Sequence, residues 1–276
     1  MEHLRITKEQ LEKDISACGL KARDTILMHS GLKALGFVEG GADSVIDAIL
    51  STIGPEGTLM VPAFSYSYSG KQDAVPFDVK TTPGARNGAI AGRLRERPEA
   101  VRSAHPSHSF AAIGKNAHFL CENHPPAHAV SGPSPLTRLL ELDGRILFLG
   151  CGLACNVMLH LAETRARFRY DHLPFRPSWG ESYMIASPGG PLHIPVSEHP
   201  GCDNRFPIVA EKLLRENRGT CRPVGLSKAY LFSARNVFET GVTLLNQQPD
   251  IFLCSEPDCE ACGPRRAYLK EIGAIG

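Results

Sequence analysis

The chain has 276 residues, a formal net charge of +1, 42% hydrophobic residues and 21% charged residues. These values are typical of an ordinary soluble globular protein and exclude disordered and fibrous proteins. The near-neutral net charge gives no positive surface potential that would attract nucleic acid or a membrane. With no bilayer-length apolar run and no signal-peptide pattern, a cytoplasmic protein is expected. Nine cysteines in such a chain favour reduced thiols and a metal site over a disulfide framework.

Strand and helix patterns alternate along the first half of the chain. Thr7 and Gln10 have the spacing of a capping box, which opens a first helix that closes at Gly19. The patterns then predict strands at residues 25–29, 58–64, 110–113 and 146–150, and helices at 42–53, 89–96 and 135–142. This alternation predicts an α/β fold, one domain over residues 1–276 with a central, mostly parallel sheet flanked by helices.

The second half of the chain has shorter and less regular patterns. Basic and apolar residues alternate at 164–170 and predict a half-exposed strand, and two apolar runs around Gly189 and Gly190 predict a hairpin. Further patterns predict a helix at 206–214, a strand at 224–232, a helix at 234–245 and a cysteine-containing tail at 250–276. We therefore expect a smaller antiparallel, loop-rich C-terminal part.

In the first half of the chain, the polar stretch 65–86 is long enough to be an active-site flap.

The central stretch 146–163 joins a buried strand to a helix that carries two titratable side chains. Asn156 is expected to be the N-cap, and His160 and Glu163 lie three positions apart on one helix face. Because ligands of parallel sheets bind where strands hand over to helices, this pair is a candidate base and its orienting carboxylate. The alternative is a hydrogen-bonded histidine of the core.

Two further histidines, His29 and His105, lie near strand ends, and the carboxyl ends of parallel strands meet at one edge. His29 is therefore the second candidate for the base, whereas the alternative for His105 is that it ties its own loop together by hydrogen bonds.

The loop 29–36 offers backbone N–H groups and Lys33 for an anionic or amide-rich cofactor. It is not a Walker loop, and the chain has no GxGxxG or GxSxG motif.

The cysteines near the C-terminus have a spacing used for zinc. Cys254, Cys259 and Cys262 form a Cx4CxxC pattern, and Cys202 follows His199 in a distant polar loop. These thiolates and the His199 imidazole are enough for a closed tetrahedral zinc site that would pin the tail to the loop after Val196. Free thiols are the alternative, since folding must supply the fourth ligand.

Five segments, in order, resemble the aminoglycoside 3-N-acetyltransferase family: LMHSGLKALGFVEGGADSVIDAIL, GPEGTLMVPAFS, VRSAHPSHSFAAIG, SPLTRLLELDGRILFLG and NVMLHLAE. The resemblance covers residues 20–240 and implies an acetyl-CoA-dependent enzyme of antibiotic resistance in which His160 takes a proton from the attacking amine. It also implies that two segments line the coenzyme channel, with the residues Ser30, Gly31, Leu32, Lys33, Leu35, Gly36, Ser103, His105 and Ser109. The family usually has Ser-Ser where this chain has Ser30-Gly31.

A polycationic acceptor needs carboxylates around it. The loops that are able to supply them contain Asp73, Asp78, Asp171, Glu198 and Asp203. We expect a small-molecule partner, no nucleic acid or membrane partner, and a monomer or homodimer.

Three other functions compete with antibiotic acetylation. In the first, the acceptor of the acetyl group is the amine of a metabolite, which the sequence does not separate from an antibiotic. In the second, His29, His105 and His160 are metal ligands in a hydrolase. In the third, the chain is a zinc-stabilised binding module that needs none of these histidines.

Overall fold

The computed structural model describes residues 5–276. The strands are β1 (Arg5–Ile6), β2 (Thr25–Ser30), β3 (Phe37–Val38), β4 (Thr58–Pro62), β5 (Val101–Arg102), β6 (Phe110–Gly114), β7 (Arg145–Leu149), β8 (Ser182–Ile185), β9 (Leu192–Pro195), β10 (Gly219–Val224) and β11 (Ser227–Ser233). The helices are α1 (Lys8–Ala17), α2 (Leu32–Leu35), α3 (Gly41–Ile53), α4 (Gly88–Arg95), α5 (Ala117–Cys121), α6 (Pro135–Glu141), α7 (Met158–Glu163), α8 (Pro207–Arg215), α9 (Ala234–Gln247) and α10 (Cys262–Glu271). Short 3₁₀ helices lie at Leu153–Cys155 and Pro177–Trp179.

The main sheet has seven strands in the order β10-β11-β7-β2-β4-β6-β5. Its centre is parallel, because β2 pairs in parallel with both β4 and β7. On either side β11 and β6 run antiparallel to the centre, and β10 and β5 turn back again, so that five of the seven strands point the same way. The predicted α/β fold with a central sheet is confirmed, and the carboxyl ends of β7, β2 and β4 lie at one edge.

Helices cover both faces of the sheet. On β2, Leu27 packs into one hydrophobic cluster with α5 to α10, while Ile26 and Met28 pack into a second cluster with α1, α3 and α4. The alternation follows from the period of two along a strand and explains why β2 reads as a continuous apolar run. The first cluster also includes Cys254, Cys262 and Leu269, so the tail is part of the core.

Local sequence signals place several elements correctly. The Thr7 hydroxyl oxygen accepts the Gln10 backbone N–H at 3.3 Å, which is the expected cap of α1. The hairpin forms as β8 and β9. None of the helices within residues 5–276 has the length and apolarity needed to cross a bilayer.

Three elements differ from expectation. The predicted strand at 164–170 is wrong: after α7 the chain continues in turns and bends, and none of these residues pairs with a described strand. The expected single strand at 224–232 is two strands, because Gly225 reverses the chain at a φ of +56°. The tail contains α10, which no pattern predicted.

Candidate active site

A cavity of about 730 Å³ opens at the edge where β2, β4 and β7 end. The ends of β2 and β4 and the turn into α7 form its floor, and the loop 65–88 forms one wall. Its lining includes His29, Ser30, Phe64, Tyr66, Lys71, Arg86, Asn87, His108, Cys151, Cys155, Asn156, His160, Arg176, Trp179, Cys202, Asp203, Asp258, Cys259 and Glu260. The stretch predicted as a flap therefore contributes directly to the cavity.

His160 and Glu163 form a buried pair at the cavity floor. The Nδ1 atom of His160 lies 2.7 Å from Oε2 of Glu163, and the edge of the ring contacts Phe206 at 4.8 Å between centroids. A carboxylate on Nδ1 favours the tautomer with the proton on that nitrogen and leaves Nε2 free to accept another. Because His160 lines the cavity, this arrangement is that of a general base with an orienting carboxylate.

His29 lies at the same edge, as expected from its place near the end of β2. Its ring stacks on Phe148 at 5.2 Å, and Nε2 is buried with no hydrogen-bond partner within the described residues. No carboxylate of residues 5–276 orients this imidazole, in contrast to His160. Ser30, next in the chain, also lines the cavity.

The rest of the loop 29–36 does not line the cavity. Leu32, Lys33 and Leu35 form the short helix α2, which Gly36 ends with a φ of +97°. At Gly31 a Cβ atom would collide with the carbonyl oxygen of Gly150, so the close approach of the β2 and β7 ends explains the glycine.

His105 is outside the cavity and holds its own loop together. Its Nδ1 accepts the backbone N–H groups of Ser107 at 3.1 Å and His108 at 2.9 Å, and its Nε2 donates to the carbonyl of Pro126 at 3.2 Å. Complete burial lowers the pKa of His105 well below its usual value. With both nitrogens occupied, His105 cannot join His29 and His160 as a metal ligand, so the three-histidine metal site expected for a hydrolase is not formed.

Ser103 and Ser109 are also engaged outside the cavity. The Ser103 hydroxyl accepts the Phe110 N–H at 2.9 Å and contacts Nδ1 of His124 at 3.0 Å. The Ser109 hydroxyl donates to the Ala63 carbonyl at 2.6 Å. These contacts hold the strands together, and they leave neither hydroxyl for a coenzyme.

Of the expected acceptor carboxylates, only Asp203 lines the cavity. Asp171 is buried and pairs with Arg169 at 2.8 Å, and Glu198 is buried and accepts the backbone N–H groups of Val130 and Ser131. Asp73 and Asp78 lie on the loop 65–86 without lining the cavity, and Asp78 accepts two N–H groups of its own turn. Two carboxylates of the tail that the sequence did not single out, Asp258 and Glu260, join Asp203.

Asn156 and His108 are cavity residues that the sequence analysis missed or misassigned. Asn156 is not the N-cap of α7, because Val157 takes that position, and both polar atoms of the Asn156 side chain are buried without a partner within the described residues. His108 packs on Phe64 at 4.7 Å, and burial lowers the pKa of this histidine well below its usual value. No spacing rule points to either side chain, since their neighbours come from distant segments.

Cys202, Cys254, Cys259 and Cys262 converge as the spacing predicted. Their Sγ atoms all lie within 4.8 Å of one another. Four thiolates at a Zn–S distance of ~2.3 Å around one zinc ion are ~3.8 Å apart, so the donor set and its size fit tetrahedral zinc. The buried guanidinium of Arg265, on α10 after Cys262, donates to the carbonyl of His199 at 2.5 Å and lies 5.2 Å from the centre of the Tyr170 ring, so it ties α10 to the loop that carries Cys202.

Comparisons with known proteins agree on one family. The family model described as aminoglycoside 3-N-acetyltransferase matches residues 27–246. Aminoglycoside N(3)-acetyltransferase VIII of Streptomyces fradiae is 32% identical over 270 residues, which cover 86% of this chain and 91% of that protein.

Solved structures of similar fold include complexes. A mutant of aminoglycoside acetyltransferase AAC(3)-IVa in complex with a gentamicin has a TM-score of 0.85 at 30% identity, covering 97% of this chain and 99% of that one. The same mutant with apramycin has a TM-score of 0.78 at 30% identity and covers 94% and 99%. AAC-IIIb in binary complex with CoASH has a TM-score of 0.77 at 26% identity and covers 88% and 97%.

Proposed function

Because the chain belongs to the aminoglycoside 3-N-acetyltransferase family, we propose that it transfers the acetyl group of acetyl-CoA to the 3-amino group of an aminoglycoside antibiotic. The enzyme is an acyltransferase, and its product is an antibiotic that has lost one positive charge. The observation that carries the residue assignment is the His160–Glu163 pair at 2.7 Å on the cavity floor. Nine unpaired cysteines are consistent with a cytoplasmic location, where acetyl-CoA is available.

In this proposal His160 is the general base. Its Nε2 accepts a proton from the acceptor ammonium or from the amine as it attacks the thioester carbonyl, and Glu163 stabilises the imidazolium that forms. The attack forms the amide bond, breaks the C–S bond and releases CoA as its thiol. His29 is the weaker candidate for the base, because no carboxylate among the described residues holds its ring.

The acceptor is expected to lie beside the tail, away from the basic side chains of the flap. Asp203, Asp258 and Glu260 provide negative charge on one side of the cavity, as a polycationic ligand requires. Lys71, Arg86 and Arg176 line other parts of the same cavity and suit the phosphates of the coenzyme. Neighbouring structures hold gentamicin, apramycin or CoA, which supports an aminoglycoside and the coenzyme as the two ligands.

A structural zinc ion is the second part of the proposal. The mutual distances of the four cysteine sulfurs support it, and Cys202 and Cys259 line the cavity themselves. Bound zinc would fix the segments that carry Asp203, Asp258 and Glu260. The metal therefore holds the acceptor wall in place and takes no part in acetyl transfer.

The test is thiol release from acetyl-CoA with gentamicin, apramycin or the polyamine spermidine as acceptor. Wild type is compared with His160→Ala, Glu163→Gln and His29→Ala. We expect release that depends on an aminoglycoside, a loss of about 100-fold or more in kcat for His160→Ala, and a smaller loss in kcat with little change in KM for Glu163→Gln. NMR of the product identifies the acetylated nitrogen.

Two results would contradict the proposal. Release stimulated by spermidine and not by any aminoglycoside would assign a metabolite acceptor. Release that survives His160→Ala and is lost in His29→Ala would move the base to His29.

A further inference from the structure

Cys151 and Cys155 are a second group of thiols in the cavity, separate from the four-cysteine cluster. Their Sγ atoms are 3.8 Å apart, and both half-buried side chains line the cavity. They lie on the turn that joins β7 to α7, the helix that carries His160 and Glu163. Of the remaining cysteines, Cys18 and Cys121 are buried and Cys221 is on β10, so this pair is the free dithiol that faces the space above His160.

The local structure permits the two sulfurs to bond. A disulfide requires a separation of ~2.05 Å, so that the sulfurs must approach by ~1.7 Å. Gly152, which follows Cys151, is exposed, and a Cβ atom there would meet nothing within 4 Å, so open space beside Cys151 leaves room for this movement. The Cys155 thiol lies 3.0 Å from the Gly152 carbonyl oxygen and 3.8 Å from Sγ of Cys151, and its proximity to Cys151 lowers the pKa of Cys151, which makes Cys151 the better nucleophile of the two.

We propose that Cys151 and Cys155 form a thiol–disulfide exchange site for a small-molecule disulfide that enters the cavity. The ligand that we assign to this site is CoA disulfide, the oxidised form of the thiol that acetyl transfer releases; this identity, unlike the exchange itself, rests on the proposed function. The inference uses neither the base nor the zinc cluster.

The exchange has two steps. The Cys151 thiolate attacks one sulfur of the disulfide, forms a mixed disulfide and releases one molecule of CoA as thiolate, which takes a proton from water. The Cys155 thiol loses its proton, and its sulfur attacks Sγ of Cys151, so that a Cys151–Cys155 disulfide forms and the second CoA leaves. One small-molecule disulfide is reduced to two thiols while the two cysteines are oxidised to one disulfide.

The experiment treats the zinc-loaded protein with CoA disulfide or, in parallel, with glutathione disulfide, and follows each cysteine by intact mass and peptide mapping. The variants are Cys151→Ser and Cys155→Ser, and Cys221→Ser is the matched control of a half-buried cysteine outside the cavity. We expect wild type and Cys221→Ser to lose two thiols and gain a 151–155 crosslink. Cys155→Ser should retain one CoA on Cys151, and Cys151→Ser should react far more slowly.

Several results would overturn the inference. A wild type that keeps both thiols, while its acetyl transfer is intact, refutes the exchange site and leaves the proposed function standing. Equal labelling of Cys151→Ser and Cys155→Ser refutes the order of attack. Faster reaction with glutathione disulfide than with CoA disulfide, in a protein whose zinc is retained, refutes CoA as the thiol.

Discussion

At the scale of single residues, the site contrasts a histidine that is oriented with one that is not. His160 has a carboxylate on one ring nitrogen and the cavity before the other, whereas the ring of His29 stacks on Phe148 and has no carboxylate partner among the described residues. A base must keep its lone pair aimed at the substrate, and an orienting hydrogen bond does this at little entropic cost. This difference is the physical reason to place the proton on His160 during the reaction.

Asn156 offers a prediction that separates ligand binding from folding. Its buried amide has no hydrogen-bond partner within the described residues, so Asn156→Leu removes no protein contact and is expected to raise the free energy of unfolding by up to about 1 kcal/mol. The same change should raise the KM of one substrate about tenfold, because a bound ligand loses a polar partner. Thermal melting and steady-state kinetics check the two effects.

Asn116→Ala is the control for this prediction. The Asn116 amide donates to the Thr25 hydroxyl at 3.2 Å, away from the cavity, so its removal should lower the melting temperature and leave both KM values unchanged. If Asn156→Leu instead melts lower with unchanged KM, the Asn156 side chain is a structural group.

At the scale of elements, sequence patterns located the strands that build the site. Two local patterns were sufficient to locate the site: the apolar runs that form β2, β4 and β7, and the spacing of His160 and Glu163. Both depend only on neighbouring residues, because the hydrophobic period and the strand ends are local properties. The alternative named for His105, hydrogen bonds within its own loop, is what the structure shows. The burial of Asp171 against Arg169 and of Glu198 against the backbone of Val130 and Ser131 was not predictable, because only the fold determines which polar side chains remain free.

The helix α7 and the helix α10 show the same limit. Asn156 has the residue type of an N-cap, but the 3₁₀ turn before it moves the N-cap of α7 to Val157. The cysteine spacing of the tail predicted a metal site, but no pattern predicted α10. The buried face of α10 consists of Cys262, Arg265 and Leu269 and is not uniformly apolar, so this helix depends on its packing against the four-cysteine cluster.

Zinc binding by the tail is predicted to stabilise the fold and the acceptor side of the cavity. The purified protein should contain one zinc ion per chain, and chelation or Cys262→Ser should lower the melting temperature and raise the KM of the acceptor more than that of acetyl-CoA. The reason is that the segments carrying Asp203, Asp258 and Glu260 lose their tether. Metal analysis and kinetics measure both effects.

The matched control for the zinc prediction is Cys221→Ser, which is outside the sulfur cluster and the cavity. It should keep the zinc, the melting temperature and both KM values. Protein without stoichiometric zinc that melts at the same temperature after chelation would show that the four cysteines are free thiols.

At the scale of the whole molecule, the helical layer over the cavity side of the sheet is held partly by neutral buried histidines. His105 and His108 have pKa values lowered well below the usual value, and burial lowers the pKa of His124 to about 4. Each ring bridges or packs between segments that a charged imidazolium would force apart. The stability of the fold must therefore depend on pH.

For His124, the lowered pKa in the folded state determines whether stability rises or falls with pH. Its folded pKa of about 4 lies below the value of about 6.5 expected in the unfolded chain, so the unfolded state binds more protons between these limits. The stabilisation is complete above pH ~6.5 and is lost as the pH falls toward ~4, by about 3 kcal/mol at most for this one residue. His105 and His108 act in the same direction.

Replacing His124 should flatten this dependence. In His124→Gln, the slope of unfolding free energy against pH between about pH 4 and 6.5 is expected to fall by up to about 1.4 kcal/mol per pH unit, since one proton fewer is taken up on unfolding. Urea denaturation at a series of pH values measures the slope. The exposed His118, changed to Gln, is the control and should follow wild type. If the curves of His124→Gln and wild type are parallel, the buried ring takes up its proton in the folded state as readily as in the unfolded one, and the pH dependence of this fold arises elsewhere.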